Sequence, residues 1–268
     1  MRKMNKLAQQ HEDVEDKLRL SAPTIYEIIS REGREELNRP ESSLIWSAIV
    51  AGICISFSLI CEGFLLKHVP ENGDYFLLEN LGYTVGFLIV ILGRFQLFTE
   101  NTITVILPLL EHFRARTFAR TMKLWGIVLS FNFVGTFIVA LLISFFPFFS
   151  AEQFDIFMNI SDHAVNKPLG DIFVQAIPAG FLIAALVWML PSSSSTKFWV
   201  IMLMTYIIAI GDFAHIVAGS TEAFLLMING ATSISHGLGY LLMAGLGNII
   251  GGTGLFALMA YAQVKEEM

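Results

Sequence analysis

Two short stretches decide the fold of this chain: Gly93-Arg94-Phe95-Gln96 and Gly211-Asp212-Phe213-Ala214-His215. Each lies near the middle of a long apolar segment, the first within 80–110 and the second within 198–228. As a straight helix, each segment would extend about 46 Å, well beyond a hydrocarbon core of about 30 Å. We therefore predict a helix, a short irregular turn and a second helix in both segments. Irregular backbone at membrane depth survives only when it is buried in protein or lines a cavity.

The rest of the chain supports a membrane location. Hydrophobic residues make up 54% of the 268 residues and charged residues only 15%, and the mean hydropathy is +0.63. Soluble domains carry about a quarter charged residues. The net charge of −6 gives no basic surface for nucleic acid. We predict an all-α protein with six transmembrane helices, which occupy the apolar segments 44–66, 80–110, 124–149, 172–190, 198–228 and 237–262.

Three regions are predicted along the chain. Residues 1–43 are a charged tail followed by a short helix that starts at Ser21, which is either amphipathic and membrane-bound or a plain linker. Residues 44–262 form the transmembrane domain, and 263–268 a short tail. The first 20 residues lack the apolar stretch of a cleavable signal peptide. Lys and Arg concentrate on the side of both termini, which predicts that both are cytoplasmic.

The two halves of the chain resemble each other in sequence. Ala51-Gly52-Ile53 recurs as Ala179-Gly180-Phe181, and the two polar stretches correspond through Gly93 and Gly211. Asn132-Phe133-Val134-Gly135 recurs, in the same order, as Asn248-Ile249-Ile250-Gly251. Each half crosses the membrane three times, so the second half begins on the opposite side of the membrane from the first. The two halves therefore have opposite orientations. Paired interrupted spans in an inverted repeat indicate a transport site where the repeats meet.

Ionisable residues inside the predicted spans need partners or water, because a charge at the bilayer centre costs about 3 kcal/mol. Arg94 and Asp212 occupy equivalent positions in the two repeats, so we predict an ion pair between them, with substrate contact as the alternative. Together with Glu100 they form a predicted midplane charge network. Glu62 and Glu222 are further charges within the spans.

Polar residues near the interruptions have a structural and a functional interpretation. His215 is either a hydrogen-bonded structural residue or a group that exchanges a proton near neutrality. Thr99 and Asn101 are predicted to cap the second half of their span, with the helix end then facing the site. Asn132 and Asn248 are interpreted as residues that brace the interruptions by hydrogen bonds between helices.

Signatures of enzymes and cofactors are missing from the sequence. It has no HExxH, GxSxG, Walker A or nucleotide-binding glycine motif. Cys54 and Cys61 lie about 10 Å apart along one predicted helix, so they are interpreted as small core residues rather than a disulfide. We expect neither an enzyme activity nor a metal or other cofactor.

Residues 21–262 resemble the formate/nitrite transporter family. The likeness rests on Leu97-Phe98-Thr99, Phe213-Ala214-His215, Asn132-Phe133-Val134-Gly135 and Gly247-Asn248-Ile249-Ile250-Gly251-Gly252. The string from Gln96 to Asn101 is most similar to the YfdC-type branch of bacterial inner-membrane proteins. The resemblance implies a homopentamer of aquaporin-like protomers in the bacterial inner membrane, surrounded by lipid, with one pore per protomer.

The resemblance also implies roles for individual residues. His215 would be the pore histidine, and Thr99 the threonine that faces it. Leu97 and Phe87 would form one apolar constriction and Ile208 part of the other. Lys167 would be the lysine that attracts anions to the vestibule, with Ala164 as the competing alignment. Phe98 and Phe213 belong to the two motifs at the interruptions and complete the predicted pore set.

The expected function is transport of a small weak-acid monovalent anion such as formate, nitrite or hydrosulfide, passed as the neutral protonated species. In this mechanism Lys167 concentrates the anion, and His215 or water supplies the proton. Two alternatives remain: a channel for a small neutral solute, and a non-conducting membrane protein with an interaction or stress role. Arg94, Glu100, Asp212 and Glu62 add charge that the formate and nitrite branches do not show at these places.

Overall fold

The structure is a computed structural model that describes residues 20–70 and 75–267, and all regular secondary structure within them is helical. Four helices are long and apolar enough to cross a membrane: Glu41–Lys67, Ala115–Phe145, Leu169–Ser192 and Ile234–Val264. We call them spans one, three, four and six. Most of the predicted charged tail, residues 1–19, lies outside the described residues, as does Met268.

Spans two and five are each divided into two parts, as predicted from their length and polar centres. Span two comprises Tyr83–Leu92 and a second part, Asn101–Glu111, and span five comprises Lys197–Ile210 and Ile216–Ile228. The fold is therefore the predicted six-span architecture. In chain order, the helices are Ala22–Glu36, Glu41–Ile55, Phe57–Lys67, Phe76–Glu79, Tyr83–Leu92, Asn101–Thr104, Leu107–Glu111, Ala115–Phe145, Ala151–Val165, Leu169–Met189, the 3-10 turn Leu190–Ser192, Lys197–Ile210, Ile216–Ile228, Ile234–Ile249, the π-helical segment Ile250–Ala257, and Leu258–Val264.

The first part of each divided span ends in the same hydrogen-bonded turn. The amide of Phe95 donates to the Val90 carbonyl at 3.0 Å, and that of Phe213 to the Ile208 carbonyl at 3.0 Å. This pattern requires the preceding residue in the left-handed region, where glycine is usual. Arg94 and Asp212 occupy that position, with φ of 55° and 54°. The two interruptions are thus equivalent in backbone geometry as well as in sequence.

Replacing Arg94 with glycine is expected to raise the free energy of unfolding by about 1 kcal/mol, because glycine adopts φ of 55° without the strain of a Cβ atom. The lost contact is small, since Arg94 is 80% exposed and lies 3.8 Å from Glu32. Thermal melting in detergent measures the change. Arg94→Ala is the matched control and retains the strain. A glycine variant no more stable than the alanine variant contradicts the prediction.

Close helix contacts repeat in both halves. A Cβ atom on Gly52 would lie 2.2 Å from the Asn132 carbonyl oxygen, and one on Gly180 would lie 2.2 Å from the Asn248 carbonyl oxygen. Only glycine allows spans one and three, and likewise spans four and six, to approach this closely. These matched contacts confirm the inverted repeat.

The amino-terminal helix Ala22–Glu36 packs on protein. Ser21 caps it as predicted, and its hydroxyl accepts from the Thr24 amide. Tyr26 and Ile29 are fully buried against span two and the end of span six. Tyr26 donates to the Leu107 carbonyl at 2.9 Å. Burial, followed by the Glu111 carboxylate, raises the pKa of the Tyr26 phenol, which therefore stays a donor.

Candidate transport site

The two interruptions meet in a hydrogen bond between Thr99 and His215. Thr99 Oγ1 and His215 Nε2 are 2.8 Å apart. Both side chains are buried, at 0% and 1% exposure. The Phe87 ring packs edge-on against the imidazole, with ring centres 4.9 Å apart. A hydrogen-bonded pair in an apolar surrounding thus joins the two repeats.

His215 also caps the second part of span five. Its Nδ1 accepts from the Ala218 amide at 3.1 Å, so this nitrogen carries no proton. The proton of the neutral ring therefore sits on Nε2, which donates to the Thr99 hydroxyl. The structural and functional interpretations of His215 are compatible, because one ring nitrogen serves the helix and the other faces Thr99.

Asn132 and Asn248 bind the two irregular stretches in equivalent ways. Asn132 accepts from the Phe98 amide at 3.0 Å and donates to the carbonyls of Gln96 and Ala48. Asn248 accepts from the Ile216 amide at 2.8 Å and donates to the carbonyls of Ala214 and Ala176. Both side chains are fully buried. Each asparagine therefore satisfies backbone groups that the interrupted helix leaves without partners.

Two cavities approach this central pair from opposite faces. The amino-terminal vestibule has a volume of about 410 Å³ and is lined in part by Glu32 and Glu36 of the amino-terminal helix. The distal vestibule has a volume of about 380 Å³ and includes His215 in its lining. Thr99 lines neither cavity. The Thr99–His215 contact therefore lies between the two vestibules.

The amino-terminal vestibule contains Arg94, Glu100 and Asn101. Arg94 lies near Glu32, and Asn101 donates to the Gln96 side chain at 3.1 Å. The predicted ion pair between Arg94 and Asp212 is wrong, because Asp212 lines the distal vestibule. A two-fold axis in the membrane plane relates a residue on one side of the midplane to its equivalent on the other side. Equivalent positions such as Arg94 and Asp212 can therefore lie far apart.

The distal vestibule contains an ion pair between Lys167 and Asp212. Lys167 also lies 3.5 Å from the Gln175 side chain, and His163 lies 3.6 Å from Asp212. Ala164, the competing alignment for the vestibule lysine, lines the same cavity. The ammonium group of Lys167 thus lies in the distal vestibule, where Asp212 compensates its charge.

The predicted apolar pore residues fall into two groups. Ile208 and Phe213 line the distal vestibule, whereas Phe87, Leu97 and Phe98 line neither vestibule. Leu97 is fully buried in the core, and the Phe98 ring packs edge-on against Trp125 at 5.5 Å between ring centres. The structure brings Phe87 to the central pair and directs the Phe98 ring toward span three.

The lining of the distal vestibule includes two glutamates and two tyrosines that the predicted pore set did not contain: Glu62, Tyr83, Glu222 and Tyr240. The two glutamates were noticed only as charges within spans. The tyrosines carry no local signal, since tyrosine is common at membrane interfaces. A Cβ atom on Gly219 would lie 1.8 Å from the Tyr240 hydroxyl, so glycine there makes room for the phenol.

Comparisons with known proteins agree with this architecture. The sequence model of the formate/nitrite transporter family matches residues 23–262. The chain is 42% identical over 255 residues to the inner membrane protein YfdC of Escherichia coli (strain K12), covering 95% of this chain and 82% of that protein. It is 22% identical over 240 residues to the uncharacterized transporter YrhG of Bacillus subtilis (strain 168), covering 85% and 89% of the two chains.

Solved structures share the fold. A channel described as an FNT family ion channel superposes with a TM-score of 0.75 at 19% identity, covering 90% of this chain and 98% of that one. A pentameric formate channel with formate bound superposes with a TM-score of 0.68 at 20% identity, covering 84% and 98%. With a family model that spans nearly the whole chain and a relative at 42% identity, this chain belongs to the formate/nitrite transporter family.

Proposed function

We propose that the chain forms a pore that passes a small weak-acid monovalent anion, such as formate, nitrite or hydrosulfide, in its neutral protonated form. The observation that carries the proposal is the Thr99–His215 hydrogen bond, which lies in an apolar surrounding between two vestibules that contain charged side chains. A solute that crosses must exchange its water for these two side chains. In the neutral tautomer His215 supplies an N–H donor, which suits an oxygen or sulfur acceptor.

The energetics favour the neutral species. Transfer of a bare anion through the apolar contact costs many kcal/mol in lost hydration. Protonation of a weak acid with a pKa of about 4 costs only about 4 kcal/mol at pH 7. The neutral acid then loses far less hydration than the anion. The pore therefore needs one polar contact at its centre and a source of protons in a vestibule.

Uptake into proteoliposomes tests the proposal. Labelled formate, nitrite and acetate are offered at pH values from about 5 to 8, within the range where the neutral fraction of each acid changes strongly. Hydrosulfide is followed by the change in internal pH. Faster uptake than in protein-free liposomes, increasing as the pH falls, supports the proposal. Protein that accelerates none of the four solutes at any pH contradicts it.

A second candidate function is a channel for a small neutral solute. The observation that favours it is the Lys167–Asp212 ion pair, which cancels the charge of the lysine that would attract anions. Swelling of the same proteoliposomes in glycerol, urea or ammonia separates this function from weak-acid transport. The alternative of a non-conducting membrane protein predicts that neither assay detects flux of any of these solutes.

Replacing Asp212 with asparagine is expected to increase anion uptake by about two- to fivefold at low salt, because one uncompensated charge near a cavity changes local ion concentration by that order. Lys167→Met is expected to decrease uptake by a similar factor. Initial rates at low and high ionic strength measure both effects. The double variant should return close to the wild-type rate. A rate unaffected by either single change indicates that the solute enters without charge.

We further propose that the chain assembles as a homopentamer in the bacterial inner membrane, with both termini cytoplasmic. The proposal is supported by the pentameric formate channel that shares the fold and by the inner-membrane relative. Large apolar side chains on the protomer surface, such as Trp46, Phe145 and Trp199, are exposed and available to neighbouring protomers or lipid. Native mass spectrometry tests the assembly. A fluorescent protein fused to the C-terminus tests the orientation.

A further inference from the structure

The distal vestibule contains two carboxyl groups that the proposed pore does not yet use, those of Glu62 and Glu222. Glu222 is only 6% exposed, on the second part of span five, whereas Glu62 on span one is half-buried. Within residues 20–70 and 75–267, neither side chain forms a hydrogen bond or an ion pair closer than 4 Å. A buried charge without a partner costs several kcal/mol. Such a group is compensated either by a bound cation or by a proton.

The hydrogen bonds of His215 prevent it from supplying the proton. Its Nδ1 accepts a hydrogen bond from the Ala218 amide. Protonation of Nδ1 would replace this hydrogen bond with a repulsive contact between two N–H groups. Its Nε2 proton is the only one on the neutral ring, and losing that proton would leave an imidazolate anion. The central histidine is therefore a hydrogen-bond donor to Thr99 and to the solute. The proton for the anion must therefore come from water or from another side chain.

We propose that Glu222, with Glu62 as its relay to the vestibule water, is the proton donor for anions that enter from the distal face. This inference rests on the proposed weak-acid function. Glu222 lies seven residues after His215, about 10 Å farther along the helix axis. Both residues line the same cavity. An anion thus meets the carboxyl groups before it reaches the Thr99–His215 contact.

The transfer is a simple acid–base exchange. The O–H bond of the Glu222 carboxylic acid breaks, and its proton forms a new bond to an oxygen or sulfur of the entering anion. The electron pair stays on Glu222 as a carboxylate, and the neutral acid moves on to the central contact. Glu62 then returns a proton to Glu222 and takes one from vestibule water. Solute that leaves through the same face reverses these steps.

The other charged and titratable groups of the vestibule determine how this exchange depends on pH. Besides Glu62 and Glu222, the lining contains the charged side chains of Lys167 and Asp212. The phenols of Tyr83 and Tyr240 line the same cavity as Glu222. Span three contributes no titratable side chain to this lining. The remaining groups of the lining are Glu79 and His163.

The test compares Glu222→Gln with the wild-type protein in proteoliposomes. Glutamine keeps the size and a hydrogen-bond donor but transfers no proton. Formate uptake is expected to fall about 100-fold, the lower range for a positioned acid, and to lose its increase at low pH. Glu222→Asp should restore most of the rate and the pH dependence. Glu152→Gln is the matched control, because Glu152 is 66% exposed on the same face and pairs with Lys67 outside the vestibule.

A spectroscopic readout keeps the inference testable if Glu222→Gln assembles poorly. The infrared carbonyl band of a protonated carboxylic acid should be present in the wild-type protein at neutral pH and reduced in Glu222→Gln. A wild-type spectrum without this band, or a band displaced by sodium or ammonium ions, indicates a cation site and overturns the inference. Unchanged uptake in Glu222→Gln also overturns it, while leaving weak-acid transport intact. If the wild-type protein shows the band but transports no weak acid, the proposed function is wrong, and the donor role of Glu222 is wrong with it.

Discussion

Replacing Asn248 with leucine is expected to lower the free energy of unfolding by about 5 kcal/mol. Three hydrogen bonds of 2.8–2.9 Å are lost, to the Ile216 amide and to the carbonyls of Ala176 and Ala214. The Ile216 amide and the Ala214 carbonyl are left without a partner at the interruption, at about 1–3 kcal/mol each, and the bond to the helical Ala176 carbonyl is lost as well. Little water reaches these groups, because the Asn248 side chain is fully buried. The second interruption should therefore lose its shape, and the pore its central contact.

The first interruption offers an independent check of the same argument. Asn132→Leu removes three equivalent hydrogen bonds and should destabilise the protein by a similar amount. Melting temperature and monodispersity in detergent measure both effects. Asn38→Leu is the control, because Asn38 is exposed and its hydrogen bonds to the Arg34 carbonyl and from Arg120 lie at the surface, where water replaces them, so stability should change by less than about 1 kcal/mol. Melting of Asn248→Leu within a degree or two of the wild type would show that these asparagines do not hold the interruptions.

Much of the fold follows from local features of the sequence. The apolar segments around Gly93 and Gly211 are too long for one membrane crossing, so hydropathy and helix geometry alone predict two divided spans. The inverted repeat follows from small and polar residues whose order recurs, among them Gly52 and Gly180. The glycines can be recognised in the sequence because larger side chains would clash where the helices are in close contact.

The charge network was harder to predict because it depends on depth in the membrane. Arg94 and Asp212 are equivalent in sequence and in backbone geometry, and both have a positive φ. Two residues that are related by a two-fold axis in the membrane plane lie close together only when they lie near that axis. Thr99 and His215 lie 2.8 Å apart, whereas Arg94 and Asp212 line opposite vestibules. The sequence specifies the correspondence between such residues, but not their distance from the axis.

The distal vestibule shows a second limit of prediction from sequence. Its lining comes from five of the six spans and their connections, including Glu62, Tyr83, Lys167, Glu222 and Tyr240. No short motif connects these residues, so only the packed structure brings them to one cavity. Lys167 was placed by the family resemblance, but its pairing with Asp212 depends on the turn of the second interruption.

Replacing His215 with asparagine is expected to reduce weak-acid uptake by about tenfold, while leaving the protein folded. Asparagine is a favourable residue at the start of a helix, so its side chain can accept from the Ala218 amide as His215 does. Its shorter side chain loses the 2.8 Å contact with Thr99. A solute that crosses then lacks one donor, which costs about 1.4 kcal/mol and hence a factor of about ten in rate.

Two matched variants separate the two roles of the imidazole. His215→Ala removes the helix cap as well as the donor, so it should lose about 1 kcal/mol of stability in addition to the transport defect. Thr99→Ser keeps a hydroxyl within reach of Nε2 and should transport at close to the wild-type rate. Melting in detergent reports the cap, and initial formate uptake reports the donor. If His215→Asn transports like the wild type, the imidazole serves only the helix, and the solute crosses without contacting the hydrogen bond that joins the two repeats.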